Sequence, residues 1–230
     1  YYNNNRTIGY RLMKIFLQRY GIYLSTTTIH KYMNKDLNLS AIVMRKKPGY
    51  KSCKKHKIFD NLLKQKFNVD EKNKIWCTDF TYMRQPNGKF RYNCTIMDLF
   101  DRSAIASVNS DYINTELAIE TLTEALKKEK PNNGILLHSN QGVQYTSWEF
   151  VNFCKDNGVI QSMSKAGCPY DNAPMERFYN TFKNCFYYRY TFESVEQLDE
   201  MTKQYINWYN YVRPHSTNNY MTPMEFRYRA

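Results

Sequence analysis

The chain has 230 residues, of which 42% are hydrophobic. This is enough for one domain of ordinary size with its own core and a small accessory domain, so a disordered chain is excluded. The net charge is +12, and residues 1–73 hold 16 Lys and Arg against 4 Asp and Glu, whereas residues 74–230 hold 17 of each sign. A basic module joined to an electrically balanced domain is indicated, and a polyanion such as nucleic acid is the expected partner.

The six cysteines show neither a CxxC pair nor regular spacing. We therefore expect reduced thiols in a cytoplasmic protein, without a disulfide framework or a zinc module. The sequence has no apolar run long enough for a membrane span or a signal peptide, which predicts no membrane partner. The chain begins at Tyr1 without Met, which is typical of a fragment or a trimmed chain.

Residues 7–20 predict an amphipathic helix, because apolar residues recur at helical spacing and Gly21 follows as a stop signal. Ser25 is the expected N-cap of a second helix, whose polar face carries His30 and Lys31. Two helices with a short turn and a basic face are typical of a helix-turn-helix, in which the second helix enters a major groove. We assign residues 1–44 to this domain, although any small helical hairpin would show a similar pattern.

Residues 45–73 are assigned as a basic linker, and RKKPGYKSCKKHK is its densest part. Because this run joins two folded segments, we interpret it as a segment that follows DNA; the alternative is a flexible linker that happens to be basic. A helix is predicted over residues 60–67. The candidate DNA contacts are Arg45, Lys46, Lys47, Lys51, Lys54, Lys55 and Lys57.

From Lys74 onward the pattern predicts the order βββαβαβαα. Three β-rich runs (74–83, 89–100 and 103–110) form an expected antiparallel meander, with PNG at 86–88 as its first turn. Helices are predicted at 114–130, 147–158, 173–188 and 194–216, and strands at 134–140 and 159–164. The predicted fold is of the α/β class, with a mixed five-stranded sheet flanked by helices. The core is assigned to residues 74–190 and a C-terminal helical extension to 191–230.

Two acids and one amide are expected to converge at one edge of this sheet. Asp79 lies in the first strand, Asn140 at the carboxyl end of the fourth, and Glu176 on the helix after the fifth. Three carboxylates in such an arrangement can hold two Mg²⁺ ions over a phosphodiester, since hard cations prefer anionic oxygen. Asparagine offers an oxygen without a charge. The pattern therefore predicts metal-dependent phosphoryl transfer that is impaired at position 140.

Several blocks in this order resemble the DDE integrase core of bacterial insertion-sequence transposases of the IS-three family, which is similar to retroviral integrases. The blocks are TDFTY around Asp79, HSNQGVQYTS, YDNAPMERFYNTFK and YNYVRPHSTNNYMTPMEF, with 35 residues between Asn140 and Glu176. The segment TIGYRLMKIFLQRYGIYLSTTTIHKYM resembles the helix-turn-helix that precedes the core in these proteins. The resemblance covers nearly the whole chain.

The resemblance implies an RNase H-like fold and metal-dependent cleavage and strand transfer of double-stranded DNA, with two Mg²⁺ or Mn²⁺ ions. Asp79 and Glu176 are then catalytic metal ligands, and Asn140 stands in the place of the second aspartate. The implied partners are terminal inverted repeats and target DNA, at least a homodimer is expected because two DNA ends must meet, and the location is the bacterial cytoplasm at the nucleoid. Asn140 is explained by engineered inactivation or by decay of a genomic copy. The alternative functions are a non-catalytic DNA-binding relative or regulator and a structure-selective nuclease.

Several further residues are candidates for DNA contacts or for structural roles. Lys183 lies seven positions after Glu176, so both can face the same DNA on an ideal helix. Arg213 and His215 are candidates for contacts to DNA phosphates or for a helix C-terminal cap. For His138 a buried, hydrogen-bonded position and a DNA contact are both open. Roles in a turn or behind the metal ligands are expected for two further acids, Asp98 and Asp101.

Overall fold

The computed structural model describes residues 8–39, 57–132 and 134–229. They form two compact units, of which one contains residues 8–39 and 180–191 and the other contains residues 57–179 and 192–229. The domain boundaries drawn from the sequence stay predictions. Six of the predicted DNA contacts lie outside the described residues: Arg45, Lys46, Lys47, Lys51, Lys54 and Lys55.

The first unit contains the two helices predicted near the amino terminus. Helix α1 spans Tyr10–Arg19, and α2 spans Thr26–Lys31 and continues as a π-helical turn over Tyr32–Asp36. Gly21 has φ +77°, a left-handed conformation that glycine adopts without strain, and it follows the end of α1. The Ser25 side chain accepts a hydrogen bond from the backbone N–H of Thr28 (3.0 Å), so the predicted N-cap is present.

The second unit is built on a five-stranded sheet. The strands are β1 (Ile75–Arg84), β2 (Phe90–Asp98), β3 (Ala104–Ser110), β4 (Ile135–Ser139) and β5 (Val159–Met163). The order is β3-β2-β1-β4-β5; β1, β2 and β3 are antiparallel, whereas β4 pairs in parallel with both β1 and β5. The predicted meander and the mixed sheet are therefore confirmed.

In the described part of the chain, six helices follow the first three strands: α3 (Thr115–Glu129), α4 (Val143–Thr146), α5 (Trp148–Asp156), α6 (Ala173–Cys185), α7 (Val195–Tyr211) and α8 (Pro223–Arg229). Short 3₁₀ segments lie at Pro169–Asn172, Tyr187–Arg189 and Ser216–Asn218. Side chains of Asn114, Ser147 and Ser194 cap α3, α5 and α7. Within the described part of the chain, no helix is long and apolar enough to cross a membrane.

The main core lies between the sheet and helices α3 and α5. Trp76 of β1, Leu122 of α3 and Phe150 of α5 are almost completely buried, together with Leu137 of β4. Burial of each such side chain contributes about 1.5–3 kcal/mol. This packing fixes β1, which contains Asp79, and β4, which Asn140 follows directly.

Residues 60–67 do not form the predicted helix. Lys64 and Gln65 have φ of +48° and +59°, which a right-handed helix excludes. The segment lies instead along the second unit, where Leu63 is buried and the backbone N–H of Leu62 donates to Ser162 Oγ (2.9 Å). The hydrogen bonds and burial that the segment gains in this non-helical path replace those of a short helix. The stability of such a helix in isolation is marginal.

The carboxyl-terminal helix is attached to the second unit by a buried arginine. Arg227 of α8 donates to Asp98 (3.0 Å), Asp101 and Glu129. The carboxylates of Asp98 and Asp101 also accept the backbone N–H groups of Phe100 and Ser103 in the turn between β2 and β3. The predicted turn role of Asp98 and Asp101 is therefore confirmed.

Candidate functional site

The register of the sheet brings Asp79 and Asn140 together. Strands β1 and β4 pair in parallel through Ile75↔Leu136, Trp76↔Leu137 and Cys77↔His138. Asp79 and Asn140 each follow the last of these pairs by two residues. Residues at the same offset from one parallel pair lie side by side, so Asp79 within β1 and Asn140 after β4 meet as expected from the sequence.

The two side chains are joined by a hydrogen bond. Asn140 Nδ2 donates to Asp79 Oδ1 (2.7 Å), and Asn140 Oδ1 accepts the backbone N–H of Gly142 (2.8 Å). Asp79 Oδ1 also accepts the N–H of Phe80 (2.8 Å). A Cβ at Gly142 would lie 2.9 Å from Asn140 Oδ1, so the absence of a side chain there lets the asparagine turn close on the backbone.

Glu176 lies in the first turn of α6 and is exposed. Burial raises the pKa of Asp79 to about 7, the Phe80 N–H acts in the opposite direction, and the charge of Glu176 raises it further. The pKa of Glu176 is raised by partial burial of its own carboxyl group. The charge of Glu176 thus acts on Asp79, which places both carboxylates in one region of the site.

Two residues that the sequence analysis did not select attach α6 to β1. The hydroxyl group of Tyr179 donates to the backbone carbonyl oxygen of Asp79 (2.8 Å). Asn172 Nδ2 donates to the backbone carbonyl oxygen of Thr78 (3.2 Å). Both residues lie in the block YDNAPMERFYN that was chosen for Glu176, so the block indicated the site without indicating these contacts.

His138 is a buried strand residue. Its Nδ1 lies 2.9 Å from Ser162 Oγ and its Nε2 lies 3.1 Å from Ser164 Oγ. Burial lowers the pKa of His138 to about 4, with Asp171 acting in the opposite direction. The imidazole is thus neutral near pH 7, and of the two interpretations of His138 the buried, hydrogen-bonded one is confirmed.

The residues present do not fit two divalent cations. Asp79 and Glu176 supply two carboxylates, and Asn140 directs its N–H₂ group, which cannot ligate a metal, toward Asp79. Across the described ranges, no group of three His, Cys, Asp or Glu residues is arranged to hold a metal ion. An aspartate at position 140 would supply the missing anionic oxygen.

The other predicted DNA contacts that the structure describes are distributed over both units. His30 packs edge-on against Tyr10 (ring centroids 4.9 Å apart) and Lys31 is exposed. Lys57 is exposed, with Nζ 5.0 Å from the centre of the Phe59 ring. Their roles in DNA binding stay predictions.

Three further candidates follow Glu176 in the chain. Lys183 is half-buried on α6, the helix that carries Glu176. Arg213 and His215 are half-buried after α7. Burial lowers the pKa of His215 to about 3, and the charges of Arg213, Arg102 and Arg177 lower it further. His215 is therefore neutral near pH 7 in the chain alone; contacts of Lys183, Arg213 and His215 with DNA stay predictions.

Models of the integrase core domain match residues 69–169 and 157–223. The chain is 31% identical over 229 residues to the Escherichia coli (strain K12) protein named as transposase InsK for insertion sequence element IS150, a match that covers 99% of this chain and 80% of the relative. It is 35% identical over 167 residues to the transposase for insertion sequence element IS904 of Lactococcus lactis, covering 72% of this chain and 66% of the relative.

Solved structures share the fold. The simian T-cell lymphotropic virus intasome, solved in complex with a PP2A regulatory subunit, matches with a TM-score of 0.61 and 17% identity over 93% of this chain and 70% of that chain. The HTLV-2 integrase catalytic core domain, solved in complex with magnesium, matches with a TM-score of 0.55 and 15% identity over 68% of this chain and 97% of that chain. The predicted RNase H-like architecture, which is that of retroviral integrase cores, is confirmed.

Proposed function

Because the chain belongs to the integrase-like transposases of the IS-three family, we propose that its architecture serves to bind the ends of an insertion sequence and join them to DNA, and that this chain binds without joining. The observation that carries the proposal is the hydrogen bond between Asp79, within β1, and Asn140, directly after β4, with the charge of Glu176 raising the pKa of Asp79. Acidic groups at this edge are suited to a phosphodiester only when cations offset their charge.

The residues have separate roles in this proposal. Asp79 and Glu176 are the anionic ligands, and only an aspartate at position 140 would be the third. Such a set of three carboxylates would hold a pair of Mg²⁺ or Mn²⁺ ions, which would supply positive charge to an oxygen nucleophile and to the leaving oxygen. The HTLV-2 core is a relative in fold that was solved with magnesium. Asn140 donates an N–H to Asp79 instead of offering negative charge, so we infer that the chain as written is impaired in catalysis.

DNA is the proposed partner, through the basic first third of the chain. All of the net charge of +12 lies in residues 1–73, and each phosphate neutralised by Lys or Arg releases condensed counterions. Joining two ends requires at least two chains, and the structurally similar simian viral protein was solved as an intasome. This proposal places the protein at DNA in a bacterial cytoplasm, with terminal inverted repeats and target DNA as ligands.

A second candidate is a non-catalytic DNA-binding relative. The observation in its favour is that the Asn140 side chain donates a hydrogen bond to Asp79 and accepts one from the Gly142 N–H. These two hydrogen bonds form without a cation. In this candidate the core would serve DNA shape and dimerisation only.

Strand transfer by Asn140→Asp tests the choice between the two. The full chain, Asn140→Asp and Asn140→Asp/Glu176→Gln are incubated with Mg²⁺ or Mn²⁺ and DNA that carries the ends of the source element. We expect all three to bind this DNA, and only Asn140→Asp to cut and join it. If Asn140→Asp binds the ends normally and joins nothing, the non-catalytic candidate is preferred.

A binding control uses the same full chain. Lys51→Glu/Lys54→Glu/Lys55→Glu should weaken binding and reduce its dependence on salt, because three phosphate contacts are lost. The matched control reverses three other lysines, Lys127, Lys155 and Lys203, which are exposed in the electrically balanced part of the chain. Equal losses in the two variants would contradict a DNA-binding role of the basic segment.

A further inference from the structure

Tyr179 and Asn172 connect the element that carries Glu176 to the strand that carries Asp79. Tyr179 lies on α6, three residues after Glu176, and its hydroxyl group is 2.8 Å from the carbonyl oxygen of Asp79. Asn172 closes the 3₁₀ segment before α6, and its Nδ2 is 3.2 Å from the carbonyl oxygen of Thr78. Two successive peptide groups of β1 thus accept hydrogen bonds from residues on both sides of Glu176, one four positions before it and one three positions after it.

The two contacts lie where β1 leaves β4 but stays paired with β2. The pairing of β1 with β4 stops at Cys77, whereas the pairing with β2 continues through Asp79 to Arg84. The Tyr179 hydroxyl also lies 3.3 Å from the carbonyl oxygen of Asn93 and 3.2 Å from its Oδ1 on β2. The shortest of the three contacts is the one to Asp79.

The two anchoring side chains are buried, whereas the Glu176 side chain is exposed. Tyr179 is 7% exposed and Asn172 is 4% exposed, whereas Glu176 is exposed. A buried donor or acceptor that loses its hydrogen-bond partner destabilises the fold. Movement of α6 along β1 would therefore cost free energy. Residues three apart on a helix lie on neighbouring parts of one face, and the position of the Tyr179 hydroxyl therefore sets that of the Glu176 carboxylate.

We propose that Tyr179 is a positioning residue, whose hydroxyl group, together with the Asn172 amide, holds Glu176 in register with Asp79. The inference rests on the proposed function only in assigning the two carboxylates to one site. The anchoring itself is a property of the chain without metal or DNA. Tyr179→Phe tests it, because this change removes the hydroxyl group and keeps the buried ring.

Tyr145 provides a matched control. It is a tyrosine of α4 that is 1% exposed, and its hydroxyl group lies 3.1 Å from Thr78 Oγ1. Tyr145→Phe therefore removes a buried hydroxyl group that contacts the neighbour of Asp79 in β1, but it leaves α6 attached. A general loss of stability should be similar in the two variants.

The first measurement is hydrogen exchange of the α6 amides in the full chain without metal. We expect exchange to be about tenfold faster in Tyr179→Phe, as the loss of one hydrogen bond of about 1.4 kcal/mol predicts. Tyr145→Phe should leave α6 exchange unchanged. Equal α6 exchange in Tyr179→Phe and the parent chain would overturn the anchoring.

The second measurement is Mn²⁺ affinity in the Asn140→Asp background, followed by the electron paramagnetic resonance of free Mn²⁺. Adding Tyr179→Phe should weaken binding about tenfold, and adding Tyr145→Phe should not weaken it. Unchanged affinity with Tyr179→Phe would overturn the positioning role even if exchange is faster. If Asn140→Asp itself binds no Mn²⁺, the metal part of the proposed function fails, and the exchange measurement alone decides the anchoring.

Discussion

Replacing Asn140 by aspartate converts a hydrogen bond into a contact between two carboxylates. Asn140 Nδ2 now lies 2.7 Å from Asp79 Oδ1, and an aspartate of the same shape would place an oxygen there. Two unit charges about 4 Å apart repel by about 4 kcal/mol at an effective dielectric constant of about 20. Loss of a hydrogen bond to a charged group adds to this cost, and uptake of one proton limits it.

We expect Asn140→Asp without metal to be less stable than the parent chain by about 2–4 kcal/mol. For a chain of this size this lowers the melting temperature by roughly 2–4 °C per kcal/mol. A cation that binds the variant at 100 times its dissociation constant returns about 2.7 kcal/mol. The parent chain, in which the amide already satisfies Asp79, should gain little from the same cation.

Thermal unfolding with and without Mg²⁺ or Mn²⁺ provides the measurement. Asn140→Ala is the control, because it removes the hydrogen bond without adding a charge, so metal should not restore its stability. The reasoning is refuted if Asn140→Asp is as stable as the parent chain without metal. It is equally refuted if the cations stabilise the parent chain as much as the variant.

Three further predictions concern single side chains. Lys183→Ala should weaken protection of the terminal nucleotides in DNA footprinting while the melting temperature stays unchanged; an equal loss from exposed Lys203→Ala would remove Lys183 from the DNA surface. Arg227→Met should destabilise the chain by about 3–5 kcal/mol in urea unfolding, because three carboxylates lose their buried counter-ion; a loss below about 1 kcal/mol would contradict this. The folded-state pKa of His215 is lowered from 6.5 to about 3, so its contribution to stability is complete above pH 6.5 and is lost as the pH falls toward 3. His215→Asn should therefore flatten the decline of stability between these values, and His138, with a pKa of about 4, should account for part of the remaining slope; an unchanged slope would show that His215 does not titrate in this range.

The sheet and most helices could be predicted because their signals are local. Alternating β-rich runs, the Ser147 cap and apolar residues at helical spacing each lie within one element. Residues 60–67 were predicted wrongly for the opposite reason. Their apolar spacing favours a helix, but their hydrogen-bond partners, such as Ser162 for Leu62 and Asp171 for Gln65, lie about a hundred residues away.

The charged residues of the candidate site could be predicted from the sequence, but the residues that hold them in place could not. Asp79 and Glu176 were recognisable because the blocks around them have the order and spacing of the DDE integrase core that they resemble. Tyr179 stands among aromatic residues at helical spacing, where core packing is the ordinary interpretation. Arg227 forms hydrogen bonds with Asp98, Asp101 and Glu129, which are more than ninety residues away in the sequence. No local sequence pattern predicts these contacts.

The close turn at Gly142 determines which residues position 140 can hold. The Gly142 N–H that now binds the asparagine oxygen would bind an aspartate oxygen equally well, and the missing side chain at Gly142 leaves room for either residue. Codons for asparagine and aspartate differ at a single base, so a change to aspartate would need no second substitution to accommodate it. Under the proposed function, one base change therefore separates this chain from a third carboxylate at the site, and the backbone that would hold it is already in place.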